Sequence, residues 1–237
     1  MIDVKELLYE LELNINKISS QDNGDIPLED RILLIRRAEL EWIKTKVNPN
    51  NVYKVGFEEI RKRIDDLQVL KVPDYKIRLK RSGSVRYVSY TGELSDATNY
   101  MFYVDAYATA KTPQCEDTVG IDLIREGELS TKYYSSHHEP SFLWRTALST
   151  ISDNKVYVYS GGKFEPKFLY LTYLRYPVKT DIEGYTHFDG TLSVNQNSEL
   201  PEYAKQDIVD LATKYASHSL ENQLQAQLTQ LRLNTNE

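Results

Sequence analysis

The chain has 237 residues, 41% hydrophobic and 27% charged, which fits a globular protein long enough to bury a sizeable core and excludes a disordered one. A formal charge of −6 argues against a dedicated nucleic-acid-binding domain, and the single cysteine, Cys115, excludes an internal disulfide and suits a reducing compartment. No apolar run reaches the length of a membrane span, about 18 residues, and the charged start MIDVKELLYE does not read as a signal peptide, so a soluble protein assembled in the cytoplasm is expected.

Val4, Leu7, Leu8, Leu11, Ile15 and Ile18 recur at helical spacing, and Asp3 with Glu6 three residues on has the form of a capping box. A polar tract, Ser19–Gly24, separates this helix from a second one opened by Pro27. Glu29 and Asp30 lie in its first turn, where they complement the helix dipole. Its apolar stripe is Leu28, Ile32, Ile35, Ala38, Trp42 and Ile43, and VNPNN at 47–51 ends it. Phe57–Asp66 reads as a short third helix, and Pro73 closes the helical part.

From Lys76 the pattern alternates. Lys76, Arg78 and Lys80 share one side and form a candidate charged interface, extended by Arg81 and Arg86; Ile77 and Leu79 share the other. The turn Ser82–Ser84 and residues 85–90 complete a hairpin. Tyr100–Tyr107 and Gly120–Ile124 read as further strands, whereas Glu126–Pro140 carries no clear pattern. Segments 141–150, 155–159 and 168–176, separated by turns at 152–154 and 160–162, predict a three-stranded antiparallel meander. Residues 178–200 read as a loop.

The last forty residues organise the rest. Pro201 is placed to open a helix, and a stripe runs through Ala204, Ile208, Leu211 and Tyr215 to Leu220, Leu224, Leu228 and Leu231. Unbroken to Arg232, that helix would be about 45 Å long. The residues between the last four leucines are mostly uncharged, which points to burial against a partner. The expected fold is therefore α+β: an N-terminal helical hairpin and a long C-terminal helix with an antiparallel, sandwich-like β insertion between them. The division is 1–73 with 199–237 as the helical module and 74–198 as the insertion.

No catalytic constellation emerges, and no cofactor or metal site is expected. His137 and His138 are adjacent and point apart on an extended chain, His187 and His218 stand alone, and Cys115 has acidic neighbours that make it a poor nucleophile. Eighteen tyrosines against six phenylalanines is the one unusual ratio. Tyrosine suits strands, protein interfaces and sugar-binding platforms alike.

Two stretches carry a resemblance. KVYVYSGGKFEPKFLYLTYLRYPVKTDI (155–182) resembles the strand–turn–strand that recurs in structural proteins of tailed bacteriophages. ELPEYAKQDIVDLATKYASHSLEN (199–222) resembles the helix that follows it in head–tail connectors of the adaptor or tail tubular protein A group, including ring proteins of crAss-like phages. Together they cover about a fifth of the chain. The resemblance implies a virion protein forming a ring, usually of about twelve copies, docked under the portal protein and coaxial with the DNA channel. Its partners would be the portal, neighbouring copies and other ring or tail proteins, with no membrane and no enzymatic activity. The portal contact would fall at Leu220, Leu224, Leu228 and Leu231, and DNA would pass an acidic lumen without specific binding. The alternative reading is a tyrosine-rich virion module that binds carbohydrate or a receptor.

Overall fold

The computed structural model describes residues 1–18, 26–47, 65–82 and 87–219. The expected fold class holds: helices at both ends of the chain and a sheet between them. The chain divides into two compact units, 1–69 with 177–237, and 70–176. Residues 177–198 thus belong with the helices, whereas the sequence division had grouped them with the strands.

In the helical unit, α1 (Val4–Ile18), α2 (Leu28–Val47) and the C-terminal helix, α4 (Lys205–Ser219), pack together. Both N-terminal helices lean on α4 far more than on each other. Most of the predicted stripes is buried, namely Val4, Leu7, Leu8 and Leu11 on α1 and Ile32, Ile35, Ala38, Trp42 and Ile43 on α2, while Ile15 and Leu28 are half-buried. On α4, Ile208, Val209, Ala212 and Ala216 are buried; the small alanines let the neighbouring helices approach. Each large aliphatic side chain buried in this way contributes about 1.5–3 kcal/mol. Polar contacts fix the register. Trp42 Nε1 donates to Asp207 at 3.1 Å, and Lys205 Nζ lies 3.2 Å from Glu6 and 3.0 Å from Glu10. Asp3 caps α1 by accepting from the Lys5 N–H at 3.0 Å, while Glu6 turns to Lys205 and does not complete a capping box. Pro201 is not the first helical residue. It is extended, with φ −67° and ψ 149°, and caps a 3-10 turn at Glu202–Ala204 that runs into α4.

The second unit is one sheet of eight strands: β1 (Lys71–Arg78), β2 (Lys80–Ser82), β3 (Ser89–Glu93), β4 (Tyr100–Lys111), β5 (Glu116–Leu123), β6 (Thr146–Ser152), β7 (Lys155–Tyr159) and β8 (Glu165–Arg175). Their order is β1-β8-β4-β5-β6-β7-β3-β2. The two edges, β1 and β2, are consecutive pieces of one run of chain separated by Leu79 alone. The sheet therefore curls back on itself like a barrel, with a core that includes Ile77, Leu79, Ala108, Val119, Val158, Leu169 and Leu171. Gly92 on β3 is what the closure requires, because a Cβ there would stand 2.7 Å from Ile77 Cγ2.

The predicted hairpin pairs as β2 with β3, although its second strand begins at Ser89, later than the alternation suggested. The turn between β6 and β7 is as the sequence implies: Asp153 and Asn154 both have positive φ, 53° and 58°, the signature of a two-residue hairpin. The meander then fails. β8 does not pair with β7 but lies between β1 and β4. Gly161 and Gly162, both with positive φ, turn the chain away, and Phe164 dives into the core before β8 begins. The patternless 126–140 stretch contains α3 (Glu126–Tyr133), part of the crossover between the parallel strands β5 and β6. Of the proposed third helix, 57–64 lie outside the described residues.

Candidate functional site

The densest polar cluster among the described residues ties α2 to the chain at 178–198. Glu39 is buried on α2, with Thr180 Oγ1 at 2.7 and 2.9 Å from its two carboxylate oxygens. Burial pushes its carboxyl above the usual range, against the opposing pull of hydrogen bonds from Ser198 and Thr180 and of the nearby Arg36. One turn earlier, Arg36 donates from Nε to the Thr180 carbonyl at 2.6 Å and places Nη2 3.1 Å from Asp181. Asp181 is also buried and accepts from the Tyr185 hydroxyl at 2.5 Å and the Ile182 N–H at 3.0 Å; His187 Nε2 lies 2.9 Å away. Burial alone would raise its carboxyl, but these donors and Arg36 outweigh it and hold the group below the ordinary range. The Tyr185 hydroxyl is pushed up to about 12, by burial first and then by its bond to Asp181.

An aspartate beside an imidazole is half of a proton-relay arrangement. The other half is not supplied by the hydroxyl on the facing strand. Ser193 Oγ donates to the Tyr185 carbonyl at 2.7 Å and accepts from the Tyr185 N–H at 3.1 Å, which makes it a cross-strand clip. What the cluster does is brace a hairpin. Asp181 bridges Gln196, and Thr186 bridges Leu192. Beyond Thr186 the tip is a built turn: the His187 N–H donates to the Thr191 carbonyl, Gly190 takes φ 82°, and Asp189 accepts from both the amide and the hydroxyl of Thr191. Those bonds from Thr191 hold the Asp189 carboxyl below its ordinary range, so it stays ionised. On this braced tip Phe188 is 102% exposed, with Leu192 and Val194 uncovered beside it. Residues 181–198 include Asp181, Glu183 and Asp189 and no lysine or arginine.

The second feature is the outer face of the barrel. Register places Lys76, Tyr170, Tyr107 and Gly120 in one row across β1, β8, β4 and β5, and Arg78, Phe168, Thr109 and Thr118 in the next. Tyr107 and Tyr170 stack at 4.9 Å with planes 10° apart, and Lys76 Nζ sits 4.0 Å over the Phe168 ring. Lys76, Arg78 and Lys80 are all exposed, as the alternation required. The face is aromatic in the middle and basic along the β1–β2 margin. Other tyrosines serve the interior: Tyr173 is fully buried and donates to the Thr98 carbonyl at 3.1 Å.

The remaining candidates separate widely. Leu220, Leu224, Leu228 and Leu231 lie outside the described residues. His137 and His138 are exposed in a turn after α3, and Cys115 is exposed in a turn closed by Thr112. Among the described residues no three histidine, cysteine or acidic side chains gather as a metal site, and no helix is long and apolar enough to cross a membrane. Sequence reasoning missed Glu39 and Asp181. The one signal available was Glu39's position, four residues after Ile35 and three before Trp42, on the buried stripe. Compared with models of protein families and with curated proteins, the chain matches none.

Proposed function

We propose that this chain is a structural virion protein, one copy of a ring that joins the portal of a tailed-phage head to the tail and surrounds the DNA channel. The observation that carries the reading is the course of the α4 stripe. Of the stripe read from the sequence, Ala204, Ile208 and Leu211 are buried in the helical unit and Tyr215 is half-buried, and the stripe continues in sequence through Leu220, Leu224, Leu228 and Leu231. In this reading the leucines that continue the stripe, which lie outside the described residues, meet the portal. The two resembling stretches map onto β7–β8 with its exit, and onto α4 with its approach, consistent with a shared plan. A net charge of −6 suits a wall past which DNA slides without binding.

The test is replacement of Leu224 and Leu228 together by Asp. Two charges would have to enter an apolar seam, so co-sedimentation with portal rings should be abolished while circular dichroism and the thermal midpoint of the body stay unchanged. Undiminished portal binding by the double variant would remove this helix from the interface.

One observation favours a carbohydrate-binding alternative. Tyr107 and Tyr170 stack side by side on the outer face of the sheet, and a paired aromatic platform of this kind suits a sugar ring. A glycan screen decides between the two readings: binding lost in Tyr107→Ala would favour the module, and no binding would leave the connector.

A further inference from the structure

We infer that the Phe188 hairpin of one copy docks on the barrel's outer face of a second copy, against Phe168 and Tyr170 and the basic margin Lys76, Arg78 and Lys80. This rests on the ring reading and names the contact that would join neighbours.

Three observations lead there. First, the knob is rigid and presented. The network of Arg36, Asp181, Tyr185 and His187 braces its base, the Asp189–Thr191 turn fixes its tip, and yet Phe188 touches nothing of its own chain. A fully exposed phenylalanine on a built turn forfeits about 1.5–3 kcal/mol of burial that only a partner can return. Little ordering entropy remains to be lost on docking, because the turn is already formed.

Second, the charges complement. Residues 181–198 lack lysine and arginine and present the ionised Asp189 beside Phe188 and the exposed Glu183 nearer the hairpin's base, opposite Asn195. The β1–β2 margin presents Lys76, Arg78, Lys80 and Arg81, all exposed and engaged in no ion pair among the described residues. Asp74 and Asp105 lie further along the same face, at the end of β1 and β4 away from Arg78, which orients the hairpin's acidic side toward Arg78 and Lys80. An anionic lipid surface would be repelled by the hairpin, and a nucleic acid more so. A basic protein face with aromatic rings is what it fits.

Third, the contact is heterologous. The two patches are different surfaces of one chain, so each copy has one of each to offer, and a contact of this kind propagates from copy to copy, as a ring requires.

The experiment is sedimentation equilibrium of the full chain at concentrations up to about 1 mM. Wild type should associate. Phe188→Ser, Glu183→Lys and Lys76→Glu with Arg78→Glu should each weaken association by at least about tenfold, as expected for loss of a central aromatic or of a charge pair at an interface. Glu183→Lys combined with Lys76→Glu and Arg78→Glu should recover most of the loss. All these positions are exposed, so the variants should keep the wild-type circular dichroism. Association indifferent to Phe188→Ser, single and combined reversals that show no rescue, or a wild-type chain that stays monomeric throughout the range would each overturn the docking. The connector reading falls separately, only if portal rings also fail to take up the wild-type chain.

Discussion

Glu39 shows how one residue can be misread by type and explained by place. A glutamate in a stripe of isoleucines and a tryptophan reads as an interruption facing water, because ionised carboxylates are rarely buried. Here it is buried, and the sequence does not reveal this because its partners Thr180 and Ser198 lie more than a hundred residues away. Burial raises its folded-state carboxyl above the ordinary 4.5, so the native state holds the proton more tightly than the unfolded chain does. Its contribution to stability is complete below that value and is lost as the pH climbs through the raised one. Asp181 works in the opposite sense: it is held below 3.8, and its contribution is present at neutral pH and lost on acidification. Glu39→Gln removes only the first effect. Denaturant midpoints of variant and wild type should therefore converge near pH 4 and separate in the variant's favour toward pH 8. A difference that does not change with pH would mean the carboxyl titrates normally in the folded protein.

At the scale of elements, what was legible was local. Helical stripes in α1 and α2 follow from 3.6-residue spacing, and the β6–β7 hairpin follows from Asp153 and Asn154, both tolerant of positive φ. What was not legible was pairing between distant strands. β8 follows β7 in sequence and looks like its partner, but burial of Phe164 and the two left-handed glycines carry it to the far side, between β1 and β4. Closure of the sheet is equally hidden, since nothing in KIRLKRS announces that one run of chain serves both edges. Gly92 marks that closure. Gly92→Ala would push a methyl against Ile77, whose branched side chain is stiff at Cβ, and should cost about 1–3 kcal/mol, read as a lowered urea midpoint with an unchanged slope. A variant as stable as wild type would mean that β1 and β3 separate at no cost.

At the scale of the whole molecule, the barrel enters and leaves by neighbouring strands. Lys71 on β1 pairs with Leu174 on β8, so the two ends of residues 70–176 lie about 5 Å apart, and the unit has its own core. Residues 70–176 alone should fold, with a β-type circular dichroism spectrum and cooperative urea unfolding. A fragment without a cooperative transition would show that the barrel needs the helices. The sequence located this insertion through its change from helical to alternating periodicity. It placed the exit about twenty residues late, because the 178–200 stretch has no periodicity of its own and is held to the helices by side chains such as Arg36 and Asn197.

The position of α4 also sets a clock. α1 and α2 barely touch each other and wait for a helix that is encoded after the entire barrel. At a ribosome adding about 5–20 residues per second, α2 is finished roughly 10 to 30 s before Lys205–Ser219 emerge, time in which the barrel can complete itself. Until then the N-terminal helices carry uncovered isoleucines and leucines, which are clients for a chaperone. A truncated translation product that ends inside the barrel therefore lacks α4, and its first two helices never receive the surface they pack against.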